Sequence, residues 1–184
     1  MWSGAAPDLS SLLEFDRRAI LAGEVWRLWT GHLVHYSAQH AMIDLATAFI
    51  AATIAVQSFG VRRVLAALGF GAPVISLGLL LAAPQCLYYR GASGLAVLLA
   101  VMAGAGLWRR VDDTRAAGTR FVRPALGVLA VALAVKISAE ANGVALGWSD
   151  LPDDVVVAWQ AHLLGAAAGA AAVVACGRCV RKAM

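Results

Sequence analysis

The residues with the clearest chemical potential lie in Gly-Ala-Ser-Gly, residues 91–94, where a long apolar run begins. A serine hydroxyl becomes a nucleophile when a base within hydrogen-bond reach takes its proton. His162, in a separate apolar run, is a candidate base, and a Ser–His pair can act without a carboxylate. Gly91 and Gly94 leave space around Ser93 for a second helix and for a substrate.

A second polar group and a packing motif accompany this pair. His40 and Asp44 are spaced one helical turn apart in the first apolar run, and Gly165 and Gly169 follow His162. Small residues four apart allow membrane helices to pack closely, which is the role predicted for these two glycines. A packing serine or a hydrogen-bonded core histidine would explain each residue alone. The hypothesis of chemistry therefore depends on the joint pattern.

The composition indicates where these residues lie. The chain is 61% hydrophobic and 14% charged, which excludes a soluble domain of this size because its apolar surface would exceed its core. Since backbone polar groups find no water in lipid, the spans must be helical. We expect an all-α, polytopic transmembrane bundle at 38–176, with an outer segment at 1–37 and a basic tail at 177–184. The five predicted spans are 38–58, 64–83, 91–108, 121–139 and 155–176.

The charged residues orient these spans. By the positive-inside rule the basic connections and the C-terminus face the cytoplasm, so the net charge of +4 is better explained by topology than by nucleic-acid binding. Ser93, His162 and the His40–Asp44 pair then lie at similar depth near the outer face. The basic residues are Arg62, Arg63, Arg109, Arg110, Arg115, Arg120, Arg123, Arg178, Arg181 and Lys182; the alternate connections carry Arg90, Glu140, Asp150, Asp153 and Asp154.

Three stretches in order, GEVWRLWTGHLVHYSAQHAMIDL (23–45), RGASG (90–94) and AHLLGAAAG (161–169), resemble the rhomboid intramembrane serine protease family. That family has a Trp-Arg pair in its first outer loop, a His-x3-Asn pattern on the next helix, Gly-x-Ser-Gly, and a late histidine followed by small residues. The sequences EFDRRAILAGEVWRLWTGHLVH and VKISAEANG are most similar to the rhombosortase branch.

The resemblance implies roles for these residues. Ser93 would be the nucleophile and His162 the general base, while His40 and the Ser93 backbone N–H would stabilise the oxyanion. Trp26 and Arg27 would shape the first outer loop. The branch implies substrates anchored by a C-terminal transmembrane helix, with a Gly-Gly motif before it and a basic tail after it. It also implies a bacterial inner-membrane enzyme that needs no cofactor, contacts lipid and acts at the periplasmic or outer face.

Two features depart from the family. Asp44 replaces an asparagine, and its carboxylate would oppose an oxyanion unless it is protonated, paired or turned away. Lys136 is a possible partner for which Glu140, one turn on, competes; our hypothesis is that Asp44 orients His40 by pairing with its ring. The second departure is a missing first helix, because residues 1–23 are too polar to span. We expect either a true start upstream or a five-span variant.

Other functions fit less well. An intramembrane zinc protease needs His-Glu-x-x-His, which is absent, and an aspartyl protease needs a second membrane aspartate beside Asp44. A transporter should carry polar residues across both leaflets. The main alternative is an inactive rhomboid-like protein that binds transmembrane segments. We expect no metal at two places where one is conceivable, the group His32, His35, His40 and Asp44, and the pair Cys176 and Cys179.

Overall fold

A computed structural model of the chain describes residues 8–114, 120–144 and 157–182. Three short helices come first, α1 (Leu9–Leu13), α2 (Arg17–Leu21) and α3 (Arg27–Thr30). Two two-residue strands, β1 (Phe15–Asp16) and β2 (Tyr88–Tyr89), form an antiparallel pair. The long helices are α4 (Ala38–Phe59), α5 (Val61–Ala82), α6 (Ser93–Thr114), α7 (Val122–Ala141) and α8 (Trp159–Lys182).

Five helices of the described chain are long and apolar enough to cross a membrane, namely α4 to α8. The predicted all-α transmembrane bundle is therefore confirmed, and the protein is a multi-pass integral membrane protein. The bounds differ where a run of apolar residues does not mark a helix start. Ser93 is the first residue of α6, and α8 begins at Trp159, so His162 lies in the first turn of α8 and not two turns in, as the span from 155 had implied. Residues 155–156, Arg115, Asp150, Asp153 and Asp154 lie outside the described residues.

Helix α6 is central and packs most extensively against α4 and α8. Its buried side chains, Leu98, Leu99 and Met102, meet those of Ala55 and Phe59 on α4. The starts of α4, α6 and α8 lie together with the ends of α5 and α7, and this end of the bundle is called the Ser93 end below. Helix α7 is the least enclosed, because its most apolar stretch contains no buried position.

Glycines set the close approach of α6 and α8. A Cβ atom on Gly165 would overlap the carbonyl oxygen of Gly94, and one on Gly169 would lie 2.6 Å from the carbonyl oxygen of Leu98. Neither position of α8 has room for a side chain. The two backbones can therefore touch along two turns, as small residues at this spacing allow.

The N-terminal segment, residues 8–37, folds against the Ser93 end. Strand β1 pairs Phe15 with Tyr89 of β2, next to the loop that leads to Ser93. Arg90 Nε in that loop lies 2.7 Å from Glu14 Oε2. Arg27 is buried and donates hydrogen bonds to the carbonyl oxygen of Glu14, at 2.9 Å, and to that of Ser11. Arg27 thus holds two parts of the N-terminal segment together, and the Glu14–Arg90 pair attaches the segment to the Ser93 loop.

His32 fastens the same segment to α5. Its buried Nε2 lies 3.1 Å from both the carbonyl oxygen of Ala72 and Oγ of Ser76. Ser76 already donates its hydroxyl proton to the Leu28 carbonyl oxygen, so Nε2–H of His32 is the donor toward both oxygens. Burial lowers the pKa of His32 to about 4, since water no longer solvates the charged ring.

Gly169→Leu should destabilise the bundle. The added side chain meets the backbone of Leu98, so α8 must move away from α6, at a cost of about 1–3 kcal/mol for overpacking. The melting temperature in detergent micelles measures this effect. Gly127→Leu on α7 is the matched control, because a Cβ there meets nothing within 4 Å. Equal melting temperatures for the two variants would contradict the proposed contact.

Acid should destabilise the protein partly through His32. Between pH 6.5 and pH 4 the unfolded chain binds a proton that the folded His32 does not, so stability falls as the pH falls, by up to about 1.4 kcal/mol per pH unit. Melting curves of the wild type and of His32→Gln from pH 7.5 to 4.5 test this. The variant should lose less stability over that window. Parallel curves for the two proteins would show that His32 does not contribute.

Candidate active site

Ser93 opens α6 and is half-buried at the Ser93 end. Gly91, two residues earlier, has φ +132°, a conformation that favours glycine. A Cβ on Gly91 would lie 3.1 Å from both Asp44 Oδ2 and His40 Nε2. The loop before Ser93 therefore lies directly against the first turns of α4, which brings His40 and Asp44 to the serine loop.

Several hydrogen bonds fix this loop. The Tyr89 hydroxyl donates to the Gly91 carbonyl oxygen at 2.8 Å, and the Gly91 N–H donates to the Gly31 carbonyl oxygen at 3.2 Å. The Ala92 N–H donates to Nε2 of His35 at 3.3 Å. Burial raises the pKa of Tyr89, so its hydroxyl stays a protonated donor. The direction in which Ser93 leaves the loop is thus set by contacts on both sides of it.

The histidines of the N-terminal segment and α4 surround Asp44. Oδ2 of Asp44 lies 3.3 Å from Nε2 of His40 and 3.4 Å from Nε2 of His35. Both histidine nitrogens are within ion-pair distance of Oδ2, but neither forms a hydrogen bond with it. Among the described residues, Asp44 Oδ2 and His40 Nδ1 are both buried without a hydrogen-bond partner. The ring of His40 also stacks on Tyr36, with centroids 6.0 Å apart. Asp44 therefore faces the rings of His35 and His40, and its role in orienting His40 stays a prediction.

Lys136 is not the partner of Asp44. Its Nζ bonds to Oε1 of Glu140, one turn on in α7. The suggestion that Lys136 neutralises Asp44 was wrong. Glu140 lies four residues after Lys136 on the same helix and is therefore within its reach, whereas contact with Asp44 would require α7 to lie closer to α4. Of the two partners that the sequence allowed for Lys136, the structure shows Glu140.

His162 is buried in the first turn of α8, and its Nδ1 lies 2.7 Å from Oε2 of Glu140. Sequence reasoning missed this contact, since it considered Glu140 only as a competitor for Lys136. A signal was available: a carboxylate near the end of an apolar run is costly in a membrane and generally functional. What the sequence lacked was the distance across helices, because Glu140 and His162 are 22 residues apart.

The glycines bring the serine and histidine helices together. A Cβ on Gly94 would lie 2.9 Å from the carbonyl oxygen of Ala161. Gly94 follows Ser93, and Ala161 precedes His162, so the backbones next to the two candidate catalytic residues are in contact. Gly165 extends this contact one turn further along α8. Ser93, on α6, and His162, on α8, therefore lie on adjoining turns of helix.

The remaining predicted residues lie around this centre. Trp26 is exposed and donates its indole N–H to the Leu12 carbonyl oxygen at 3.3 Å, while Arg27 is buried inside the N-terminal segment. The conceivable metal group is divided, since His32 bonds toward α5. In the described ranges no three His, Cys, Asp or Glu side chains are arranged to hold a metal ion. Cys176 is a free thiol, and the side chain of Cys179 lies outside the described part.

Comparison with known families agrees with this geometry. Residues 22–179 match the model of the Rhomboid domain, a range that includes every candidate catalytic residue and α4 to α7 entire. Comparisons with curated proteins and with solved structures found no match. Because the matched range covers most of the chain, the protein belongs to the rhomboid family, the family of the intramembrane serine proteases.

Proposed function

We propose that this rhomboid-family protein is an active intramembrane serine protease, with Ser93 as nucleophile and His162 as general base. The observation that carries the proposal is the contact of Gly94 with Ala161, which holds the neighbours of the two residues together. His162 is further fixed at Nδ1, so Nε2 is the ring nitrogen that can accept the serine proton. Ser93 is half-buried at a helix end, where a peptide can reach it.

The reaction follows from these positions. His162 Nε2 takes the Ser93 hydroxyl proton while Oγ bonds to the scissile carbonyl carbon and the carbonyl electrons move to oxygen. The tetrahedral intermediate collapses, the C–N bond breaks, and the leaving amine receives the proton from His162. Water then gives a proton to His162 and adds to the acyl carbon. Cleavage of the C–Oγ bond, with the proton returned to Ser93, completes the hydrolysis.

The oxyanion would lie between α6 and α4. The first N–H groups of α6, that of Ser93 included, have no partner within the helix, since the first helical bond joins the Ala96 N–H to the Ala92 carbonyl oxygen. N–H groups at a helix start favour negative charge. His40 would add a donor from α4, and Asp44 would orient its ring. The ion-pair distance of 3.3 Å supports this role for Asp44.

The substrate proposal depends on resemblance to the rhombosortase branch. We infer that the substrates carry a C-terminal Gly-Gly motif, a transmembrane helix and a basic tail. The basic residues that cluster where α4, α6 and α8 end support a cytoplasmic C-terminus, and the resemblance to the rhombosortase branch implies a bacterial inner membrane. Ser93 would then face the periplasm or the outside, and cleavage would occur where the substrate helix leaves the lipid.

A reporter that ends in such a signal tests the proposal in cells. Wild type should cleave the reporter, and Ser93→Ala and His162→Ala should each reduce cleavage at least about 10³-fold, as loss of a nucleophile or base does. The size of the reporter on a blot is the measurement. Ser138→Ala, an exposed serine of α7, is the matched control and should cleave normally.

Loss of cleavage in the wild type as well, with this reporter and with a general rhomboid substrate, would favour the inactive protein that binds transmembrane segments. Each chain should also be expressed with an added upstream helix. Cleavage that appears only with that helix would mean that the five spans need an additional helix for activity.

Asp44→Asn tests the role of the carboxylate. The amide keeps the shape but loses the charge that faces His40 and His35, so we expect the rate of reporter cleavage to fall about tenfold, less than for complete loss of an oxyanion group. Melting temperatures in detergent serve as the control for folding. An unchanged or higher rate in Asp44→Asn would contradict the hypothesis that Asp44 orients His40.

A further inference from the structure

Glu140 is a carboxylate buried where a membrane protein seldom keeps one. Its side chain is 1% exposed, and its two oxygens are divided between two partners, Oε1 for Lys136 and Oε2 for His162. Within the described chain, His162 and Lys136 are the titratable groups that act on it. Burial of a charged group is costly unless it is paired and hydrogen-bonded. Both oxygens of Glu140 meet that condition.

We propose that Glu140 is a positioning residue for His162, so that Ser93, His162 and Glu140 form a catalytic triad. The inference rests on the proposed protease function and adds a member to its Ser–His pair. An ionised carboxylate only accepts hydrogen bonds, so the proton of the 2.7 Å contact belongs to Nδ1 of His162. Nε2 then carries a lone pair, which is the form that accepts the proton of Ser93.

Glu140 also acts while the reaction proceeds. When His162 takes the serine proton it becomes a cation, and its side chain is 6% exposed, so little water is present to solvate it. The carboxylate 2.7 Å away offsets that charge in a medium of low dielectric constant. A dyad without Glu140 would form the same cation in an apolar bundle without that compensation.

Lys136 holds the carboxylate of Glu140 in position for His162. Its Nζ occupies Oε1 and leaves Oε2 for the imidazole, and its side chain is 40% exposed, so its charge stays partly solvated. The spacing of four residues places lysine and glutamate on one face of α7. Lys136 therefore places a positive charge beside the oxygen of Glu140 that His162 does not contact, one helical turn away.

A structural explanation must be separated from this one. Glu140 is the one residue of α7 that is buried within the described chain, so its bond to His162 also fastens a loosely packed helix to α8. If that were its only role, removal of the charge on Glu140 would lower the stability of the protein and leave the reactivity of Ser93 unchanged. A test must therefore measure the reactivity of Ser93 apart from folding and from substrate binding.

The experiment uses the full chain purified in detergent. Three variants are compared with the wild type: Glu140→Gln, Glu140→Asp and Lys136→Met. For each protein we measure kcat and KM with the reporter as substrate, the rate at which a fluorophosphonate labels Ser93, and the melting temperature. Glu24→Gln is the matched control, since it removes a carboxylate from the 2.7 Å ion pair with Arg27, away from His162.

We expect Glu140→Gln to lower kcat and the labelling rate about 100-fold, the lower range for loss of effective general base catalysis, with KM within twofold. Glu140→Asp should restore part of both rates, because it keeps the charge. Lys136→Met should give an intermediate loss, and Glu24→Gln should label at the wild-type rate.

Two results would contradict the proposed role of Glu140 in a triad and still leave the proposed protease function in place. One is a Glu140→Gln variant that cleaves and labels like the wild type while Ser93→Ala is inactive. The other is a loss in Glu140→Gln that parallels its melting temperature and disappears on cooling. If the wild type neither cleaves nor labels, the protease function fails, and the triad fails with it.

Discussion

The contact between the backbones of α6 and α8 is the constraint on which the rest of the structure depends. Gly94 meets the Ala161 carbonyl oxygen, and neither Gly165 nor Gly169 has room for a Cβ atom. In lipid, helices gain little from hydrophobic burial against each other, so close van der Waals packing and polar contacts determine the arrangement. The same contact sets the separation of Ser93 from His162. One set of glycines therefore specifies the packing of α6 on α8 and the approach of the turns that carry Ser93 and His162.

The N-terminal segment acts as a brace for the Ser93 loop. Strand β1 pairs with β2, Glu14 pairs with Arg90, and the Gly31 carbonyl oxygen accepts from the Gly91 N–H. Neutral His32 anchors the segment on α5. These contacts fix a loop that contains a glycine at positive φ, where a flexible chain would otherwise sample many directions. The direction in which Ser93 leaves this loop is thus set by contacts within the protein itself.

Two buried carboxylates face histidines at this end, and their surroundings differ. Glu140 makes a hydrogen bond to His162 and a second bond to Lys136, so both of its oxygens are satisfied. Asp44 faces His35 and His40 at ion-pair distances, with Oδ2 lacking a hydrogen-bond partner in the described chain. The first arrangement is suited to holding one ring in a fixed tautomer. The second leaves buried polar atoms without a hydrogen-bond partner in the described chain, which is uncommon in a protein interior.

The sequence by itself determined the membrane bundle, the five spans and the rhomboid family, because apolar length and motif order are local properties of the chain. It also identified Ser93, His162 and His40 as the candidate residues. Only the tertiary structure decided which charges pair. Lys136 could reach Asp44 or Glu140 on sequence grounds, and the link from Glu140 to His162 joins residues that are 22 positions apart in two different helices. Such pairings depend on helix rotation and distance, which the apolar pattern of α7, uniform around the helix, does not encode.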